Sequence, residues 1–312
     1  MAFSLNFAPQ AALPVLPTPA RGYWTKVLRQ LMHDPVAMGA ALVVLLIVCA
    51  AVFAPWLAPM DPYKGSMIKR LLPIGSEGYL LGTDELGRDM LSRLMYGGRL
   101  SLLMGVTPVL AAFGIGTSIG LLAGYVGGRL NMIIMRVLDV FYAFPSVLLA
   151  VAISGALGPG MTNSILALTL VFVPQVVRVA ESVTTQVRKL DYIEAARMSG
   201  ASAFSIIRVH VLGNVLGPVF VYATGLLSVS MILAAGLSFL GLGVKPPEPE
   251  WGLMLNTLRS AIFRNPWVAA LPGLLIFITS IGFNLLADGV RSAMDIRPVS
   301  YTHLTLPTTP YV

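Results

Sequence analysis

Residues 191–213 read DYIEAARMSGASAFSIIRVHVLG, and long apolar runs flank them on both sides. A polar stretch between two membrane-length runs is a loop joining two spans. Asp191 is a candidate N-cap, and Glu194, three residues on, completes the spacing of a capping box. Ala195 and Ala196 favour helix, and Arg197 places a cation towards the helix C-terminus. Gly200 suits the left-handed position that closes a short helix, and the small Ala201 follows it. Ser202 is then a candidate cap for a second helix, along which Phe204, Ile207 and Val211 recur at helical spacing. The prediction is a short helix, a glycine turn and a second helix that returns to the membrane. Small residues on the turn leave room for another protein's surface. The plainer alternative is an ordinary helix–turn–helix between two spans.

The rest of the chain supports a membrane setting. Of its 312 residues, 56% are hydrophobic and only 11% charged, where soluble domains carry about 25% charged residues. Mean hydropathy is +0.80. The net charge of +7 comes from basic residues flanking apolar runs, which suits anionic headgroups rather than nucleic acid. Cys49 is the single cysteine, so no internal disulfide forms. His33, His210 and His303 have no metal-site spacing, and no cofactor or catalytic constellation is expected.

Six runs are long and apolar enough to span: 36–57, 102–125, 132–157, 162–182, 215–242 and 268–288. The predicted fold class is all-α, a polytopic helical membrane protein. Residues 1–35 divide into a Pro/Ala-rich tail and an interfacial helix on which Trp24, Val27, Leu28, Leu31 and Met32 follow helical spacing. Residues 36–101 hold the first span and an outer loop, and residues 102–297 the core with the 191–213 loop. Residues 298–312 change character abruptly and read as non-native, adaptor-like sequence. Six spans place both termini on one side. Twelve of the 21 Lys and Arg residues then share the side of 191–213 and nine lie opposite, a weak positive-inside bias.

Within the outer loop, LGTDELGRDMLSRLMYGGRLSL (81–102) predicts an interfacial helix capped by Thr83, with Asp84 and Glu85 at its start and Arg93 and Arg99 at its end. In the third span, Asp139 lies three residues after Arg136, and a structural intramembrane pair is the expected arrangement. In the stretch 234–252, Gly236, Gly241 and Gly243 predict close helix approach, Pro246 and Pro247 a helix stop, and Trp251 an interfacial ring.

Four stretches in order, LGTDELGRDMLSR, LDVFYAFPS, the EAA-containing loop, and LSFLGLGVKPPEPEWG with FNLLADGVRSAMD, together resemble the C-type permease subunit of bacterial dipeptide/oligopeptide (nickel/peptide) ABC importers. The resemblance covers roughly residues 25–297. It implies a type I ABC importer permease fold in the bacterial inner membrane, with cytoplasmic termini. It further implies a paralogous permease partner, two ATPase subunits or domains that bind the ATP, and an extracytoplasmic substrate-binding protein. Asp191, Glu194, Ala195, Ala196, Gly200 and Ala201 are the residues it assigns to ATPase coupling. The cargo it implies is di- or oligopeptide, with nickel chelates, glutathione or opines as alternatives. One departure stands out: the family's EAA pattern ends in I-x-L-P, and His210, Val211, Leu212 and Gly213 stand there. A less rigid return into the fifth span is expected.

Two other function classes fit less well. An ion-coupled secondary transporter would need a coupling-ion site, and Asp139 is the only acid well inside a predicted span. An intramembrane enzyme would need H-E-x-x-H, G-x-S-x-G or paired aspartates, and the sequence has none of them. Nor does it contain a phosphate-binding G-x-x-x-x-G-K-[ST] loop, so any ATP-driven step needs another polypeptide.

Overall fold

Asp34 turns the chain into the first crossing. Its carboxylate accepts from the Val36 and Ala37 amides at 2.9 and 3.2 Å, and Pro35 occupies the first helical position. The computed structural model describes residues 23–294. Residues 1–22 and 295–312, and the side chains of Tyr23 and Trp24, lie outside the described residues, as do the predicted N-terminal tail and the segment 298–312. The first helices are α1 (Tyr23–His33), α2 (Pro35–Val52), α3 (Ala54–Leu57), α4 (Met90–Val126), α5 (Gly128–Tyr142) and α6 (Ser146–Leu157). They are followed by α7 (Met161–Val187), α8 (Asp191–Met198), α9 (Ala203–Ile206), α10 (Leu212–Phe239), α11 (Trp251–Thr257) and α12 (Pro266–Met294). Among the described residues no strand forms, and only isolated bridges such as Gly65–Arg88 occur.

Five helices are long and apolar enough to cross a membrane, and a sixth crossing depends on the bent pair α5–α6. Side-chain register settles it. Gly116, Gly120 and Gly124 of α4 face Val176, Ala180 and Thr184 of α7, so α4 and α7 run parallel. The intervening chain must therefore return from the end of α4 to the start of α7. It does so antiparallel to α7: Asn131 donates to Glu181 at 2.6 Å, Asp139 meets Arg178 at 2.8 Å, and Ser154 lies 3.4 Å from Ser164. The pair is one crossing, bent by 89° at Ala143–Pro145. Pro108, Pro174, Pro218 and Pro272 sit inside unbroken helices, whereas Pro145 occupies the N-cap of α6. Placed there, Pro145 removes the donor that would have continued α5.

The remaining crossings alternate in direction. Tyr222 of α10 donates to Gln175 of α7 at 3.2 Å, and Ser164 donates to the Leu242 carbonyl at 3.0 Å. Gly282 of α12 faces Val44 of α2, and Gly289 faces Ala37. Residues 23–34, 188–213 and the end of α12 therefore share one side, opposite residues 53–89 and 240–265.

The glycine seam on α4 is a close interhelical contact. A methyl added at Gly120 would sit 2.5 Å from the Ala180 Cβ, and one at Gly116 2.7 Å from the Val176 Cβ. Small residues every fourth position let these backbones close, as membrane helices without a strong hydrophobic drive require. Gly236 and Gly241, expected in this role, have no atom within 4 Å of an added methyl, and Gly243 approaches only Ser238. The glycine contacts of that region fall at Gly252, which lies against Ala235.

Several expectations for residues 53–102 need correction. No separate interfacial helix forms. The segment from Met90 is the first part of α4, a 37-residue helix about 55 Å long. Its cap is Asp89, which accepts from the Ser92 amide at 2.8 Å and the Ser92 hydroxyl at 2.6 Å. Thr83 instead ties the loop together, accepting from the Leu72 amide at 2.9 Å and donating to the Lys69 carbonyl. Arg93 lies in the first turn of α4, where it meets Asp84 at 3.1 Å and donates to the Pro62 carbonyl at 2.9 Å. Asp84 also holds Arg88 at 2.6 Å and accepts from the Leu86 and Arg88 amides. The polar sequence TDELGRD is thus a largely buried knot tied by its own side chains, in which the Glu85 Oε2 and Asp89 Oδ1 atoms are left without a hydrogen-bond partner among the described residues.

Trp251 is buried rather than interfacial. Its indole N–H donates to the Leu94 carbonyl at 2.9 Å, and its ring covers Gly98. Glu250 caps α11, accepting from the Gly252 and Leu253 amides and from the Ser101 hydroxyl. Burial pushes its carboxyl above the usual carboxylate range, against the pull of those hydrogen bonds. Helix α11 is followed by a 3-10 turn, Arg259–Phe263.

Candidate coupling surface

The loop after α7 becomes a site through its backbone. Leu190 is the N-cap of α8, and no side chain caps it. The capping box expected of Asp191 and Glu194 does not form, because Asp191 already occupies the first helical turn. Both acids stand exposed in that turn, with Arg197 in the last, in the order the helix dipole favours. The C-terminus closes as expected. Gly200, at φ +79°, donates to the Arg197 carbonyl at 3.0 Å, and the Ala201 amide donates to Ala196 at 3.2 Å. That pair of bonds is a Schellman closure. Ser202 caps α9, accepting from the Ser205 amide at 3.3 Å.

One apolar plug and two polar ties hold α8 against the spans. Ile193 is fully buried in the main core cluster, which also contains Ile206 and Val211, and Ala196 packs on its edge. The Arg197 guanidinium lies 5.4 Å from the Tyr125 ring at the end of α4. Asn214 of α10 donates to the Tyr192 hydroxyl at 3.2 Å and to the His210 carbonyl at 2.7 Å. These contacts tie α8 to α4 and α10 together.

The return into α10 differs from expectation. Residues Ile207–Val211 form one π-helical turn, and the helix continues through Gly213 without a break. Gly213, at the position of the family pattern's proline, lies in the first turn of α10, just after the wider turn.

Asp191, Glu194, Ala195, Gly200 and Ala201 are brought together on the exposed rim of the loop, while Ala196 is half-buried and serves as an anchor. Two residues not assigned to coupling from the sequence join them, Met198 and Phe204, the latter expected on the apolar face of the second helix. Met198 is 91% exposed and Phe204 74% exposed, one on each side of the Gly200 turn. Their signal was an apolar residue at a non-core position of a polar loop. The rim offers a short helix, a tight turn and two bare apolar side chains.

The Arg136–Asp139 pair is not observed. Asp139 pairs with Arg178 of α7 at 2.8 Å, and the Arg178 guanidinium lies 4.2 Å from the Tyr142 ring. Arg136 is exposed and, among the described residues, makes no ion pair. The antiparallel packing of α5 on α7 supplies a nearer partner than the same-helix arginine.

Residues 116–298 match the family described as binding-protein-dependent transport system inner membrane component, and residues 22–73 match the N-terminal TM domain of oligopeptide transport permease C. The di/tripeptide transport system permease protein DppC of Pseudomonas aeruginosa is 44% identical over 286 residues, 90% of this chain and 93% of that protein. The glutathione transport system permease protein GsiD of Pectobacterium atrosepticum is 43% identical, over 91% of this chain and 95% of that one. The probable D,D-dipeptide transport system permease protein DdpC of Escherichia coli is 38% identical, over 86% and 90%. An inward-facing structure of the MetNI methionine ABC transporter shares the fold with TM-score 0.54 and 21% identity, over 65% of this chain and 97% of that one. Six crossings, an exposed short helix between the fourth and fifth of them, and these matches converge. The chain belongs to the family of binding-protein-dependent transport system inner membrane components, and is a multi-pass permease subunit of an ABC importer.

Proposed function

We infer that this chain is one permease subunit of an importer that carries short peptides across the bacterial inner membrane. A paralogous permease completes the pore. Two ATPase subunits or domains bind the ATP and dock on α8, and an extracytoplasmic binding protein delivers cargo to the face formed by residues 53–89 and 240–265. On this reading residues 188–213 and both termini are cytoplasmic. The observation that carries it is the exposed rim of α8 and the Gly200 turn, tied through Arg197–Tyr125 and Asn214–Tyr192 to two spans. ATP-driven closure of the ATPase pair would move α8, and with it the ends of α4 and α10. Identity of 44% to a di/tripeptide permease supports the cargo class. Glutathione is a second reading of the same class, favoured by the 43% identical relative.

The test is purification from native membranes in mild detergent with mass spectrometry of the associated chains, followed by reconstitution. ATPase subunits and a second permease should accompany the chain, and the complex should take up labelled dialanine in an ATP-dependent way. A chain that purifies alone and transports without ATP would sink the reading.

A further inference from the structure

The elbow between α5 and α6 is built unlike anything a lipid-facing surface tolerates. Residues 142–148 are all exposed in this chain, and the break at Ala143–Pro145 interrupts the helical hydrogen bonds part-way through a crossing. Irregular backbone at membrane depth persists only where protein covers it or water lines it. Beside it, Asp139 and Arg178 are half-exposed, with side-chain exposures of 50% and 49%. Charged groups at such depth face a bundle interior or a water-filled cavity, not acyl chains. Two independent features, one of backbone and one of charge, thus exclude lipid from the same face.

The pair also has unused capacity. A guanidinium carries five N–H donors and a carboxylate about four acceptor sites. The structure shows one bond between them, from an Arg178 terminal nitrogen to one Asp139 oxygen. The guanidinium further lies over the Tyr142 ring, and Gln175, one turn away on α7, accepts from the Tyr222 hydroxyl. This leaves an acceptor-rich group and a donor-rich group side by side, each open to a further partner.

We propose that Asp139 and Arg178 line the aqueous route of the transported solute and offer counter-charges to a zwitterion, Asp139 to its ammonium and Arg178 to its carboxylate. The assignment rests on the peptide-importer reading for its solute class only. Exposed apolar residues around the pair, Val137, Val140, Phe144 and Val147, border the route. Because the two charges neutralise each other when no solute is present, the route is never left with an unpaired charge. A passing zwitterion exchanges one ion pair for two, so it meets no charged barrier at the narrow elbow.

The test uses the whole importer in proteoliposomes. In a Cys49→Ser background, Ser146→Cys at the elbow should react with a small membrane-impermeant methanethiosulfonate, and Leu46→Cys on the outer face of α2 should not. Ala143→Cys is the second elbow position should the first variant fail to assemble. Dialanine during ATP turnover should slow the elbow labelling severalfold. Arg178→Ala should cut dialanine uptake at least tenfold while ATP hydrolysis continues, with Arg178→Lys recovering part. The swapped pair, Asp139→Arg with Arg178→Asp, should stay below one tenth of normal uptake. Full uptake by the swapped pair would reduce the two residues to a structural brace and overturn the proposal. So would dialanine uptake with both elbow cysteines unreactive. Reactive elbow cysteines in an importer that ignores dialanine would remove the zwitterion assignment and the peptide reading together, while retaining the aqueous lining.

Discussion

Gly200 and Glu250 show how much depends on single positions. A side chain added at Gly200 meets nothing within 4 Å in this chain, yet the residue sits at φ +79°. A β-branched residue there costs about 1–2 kcal/mol in backbone strain alone, which mixes folding with docking. Asparagine tolerates the left-handed region, so Gly200→Asn separates the two. It should melt within about 1 kcal/mol of the parent, yet recover less than a tenth of the ATPase on co-purification. Normal ATPase recovery would remove Gly200 from the docking contact. Glu250→Ala should cost about 2–3 kcal/mol, from a lost cap and an abandoned buried Ser101 donor, read by thermal unfolding in detergent. Burial holds the carboxyls of Glu250 and Glu85 above their ordinary range. For an acid raised in the folded state, that state binds more protons than the unfolded one, so stability falls as pH rises through the window between the two values. Acidifying from neutral should therefore raise the melting temperature, and Glu250→Gln should flatten the slope. The motif residues were legible in the sequence, but their roles were not always so. Thr83 looks like a helix cap because cap chemistry is local, and it lost that role to Asp89 because the loop from Lys69 to Leu72 came within reach of its hydroxyl.

At the scale of elements, each of the six apolar runs became a crossing, and α4 and α7 also took in polar sequence beyond theirs. Helix α4 runs twelve residues further back than its apolar core, because the buried Arg93 and Ser92 find partners in the outer loop. Helix α7 continues past Gln175 and Arg178, whose side chains find Tyr222 and Asp139 across the bundle. The parallel α4–α7 seam invites a direct test. Gly120→Ala should lower the yield of folded protein sharply, since the methyl overlaps Ala180 and lies 2.7 Å from the Val177 carbonyl. Adding Ala180→Gly should restore part of the yield, limited by the backbone contact that remains. Equal yields for the single and double variants would mean that the two helices meet elsewhere. The seam could have been noticed as Gly116, Gly120 and Gly124 at four-residue spacing. A one-helix pattern does not identify the partner, however, and the sequence reading placed the close approach at Gly236 and Gly241 instead.

For the whole molecule, the prediction is one of parity. With Cys49 replaced by Ser, cysteines introduced at Met198 and Arg291 should react with an impermeant reagent from the same side of sealed vesicles. Those at Ile68 and Phe263 should react only from the other. Labelling of residues 68 and 263 from opposite sides would turn α5–α6 into a re-entrant loop and undo the six-crossing fold. Charge counting gave only twelve against nine for orientation. Part of the reason is that Arg88 and Arg93, two of the nine, are buried against Asp84 and present little charge to a headgroup region. The sequence by itself determined the membrane setting, the number of apolar crossings, the short helix with its glycine closure, and the family. Each of these follows from composition, local spacing or a contiguous motif. Only the tertiary structure decided that α5–α6 is one bent crossing, that Asp139 belongs to Arg178, and that Trp251 and the TDELGRD knot are buried. Those outcomes depend on which segments the fold brings side by side, and the local pattern around one residue does not encode which distant residue will face it.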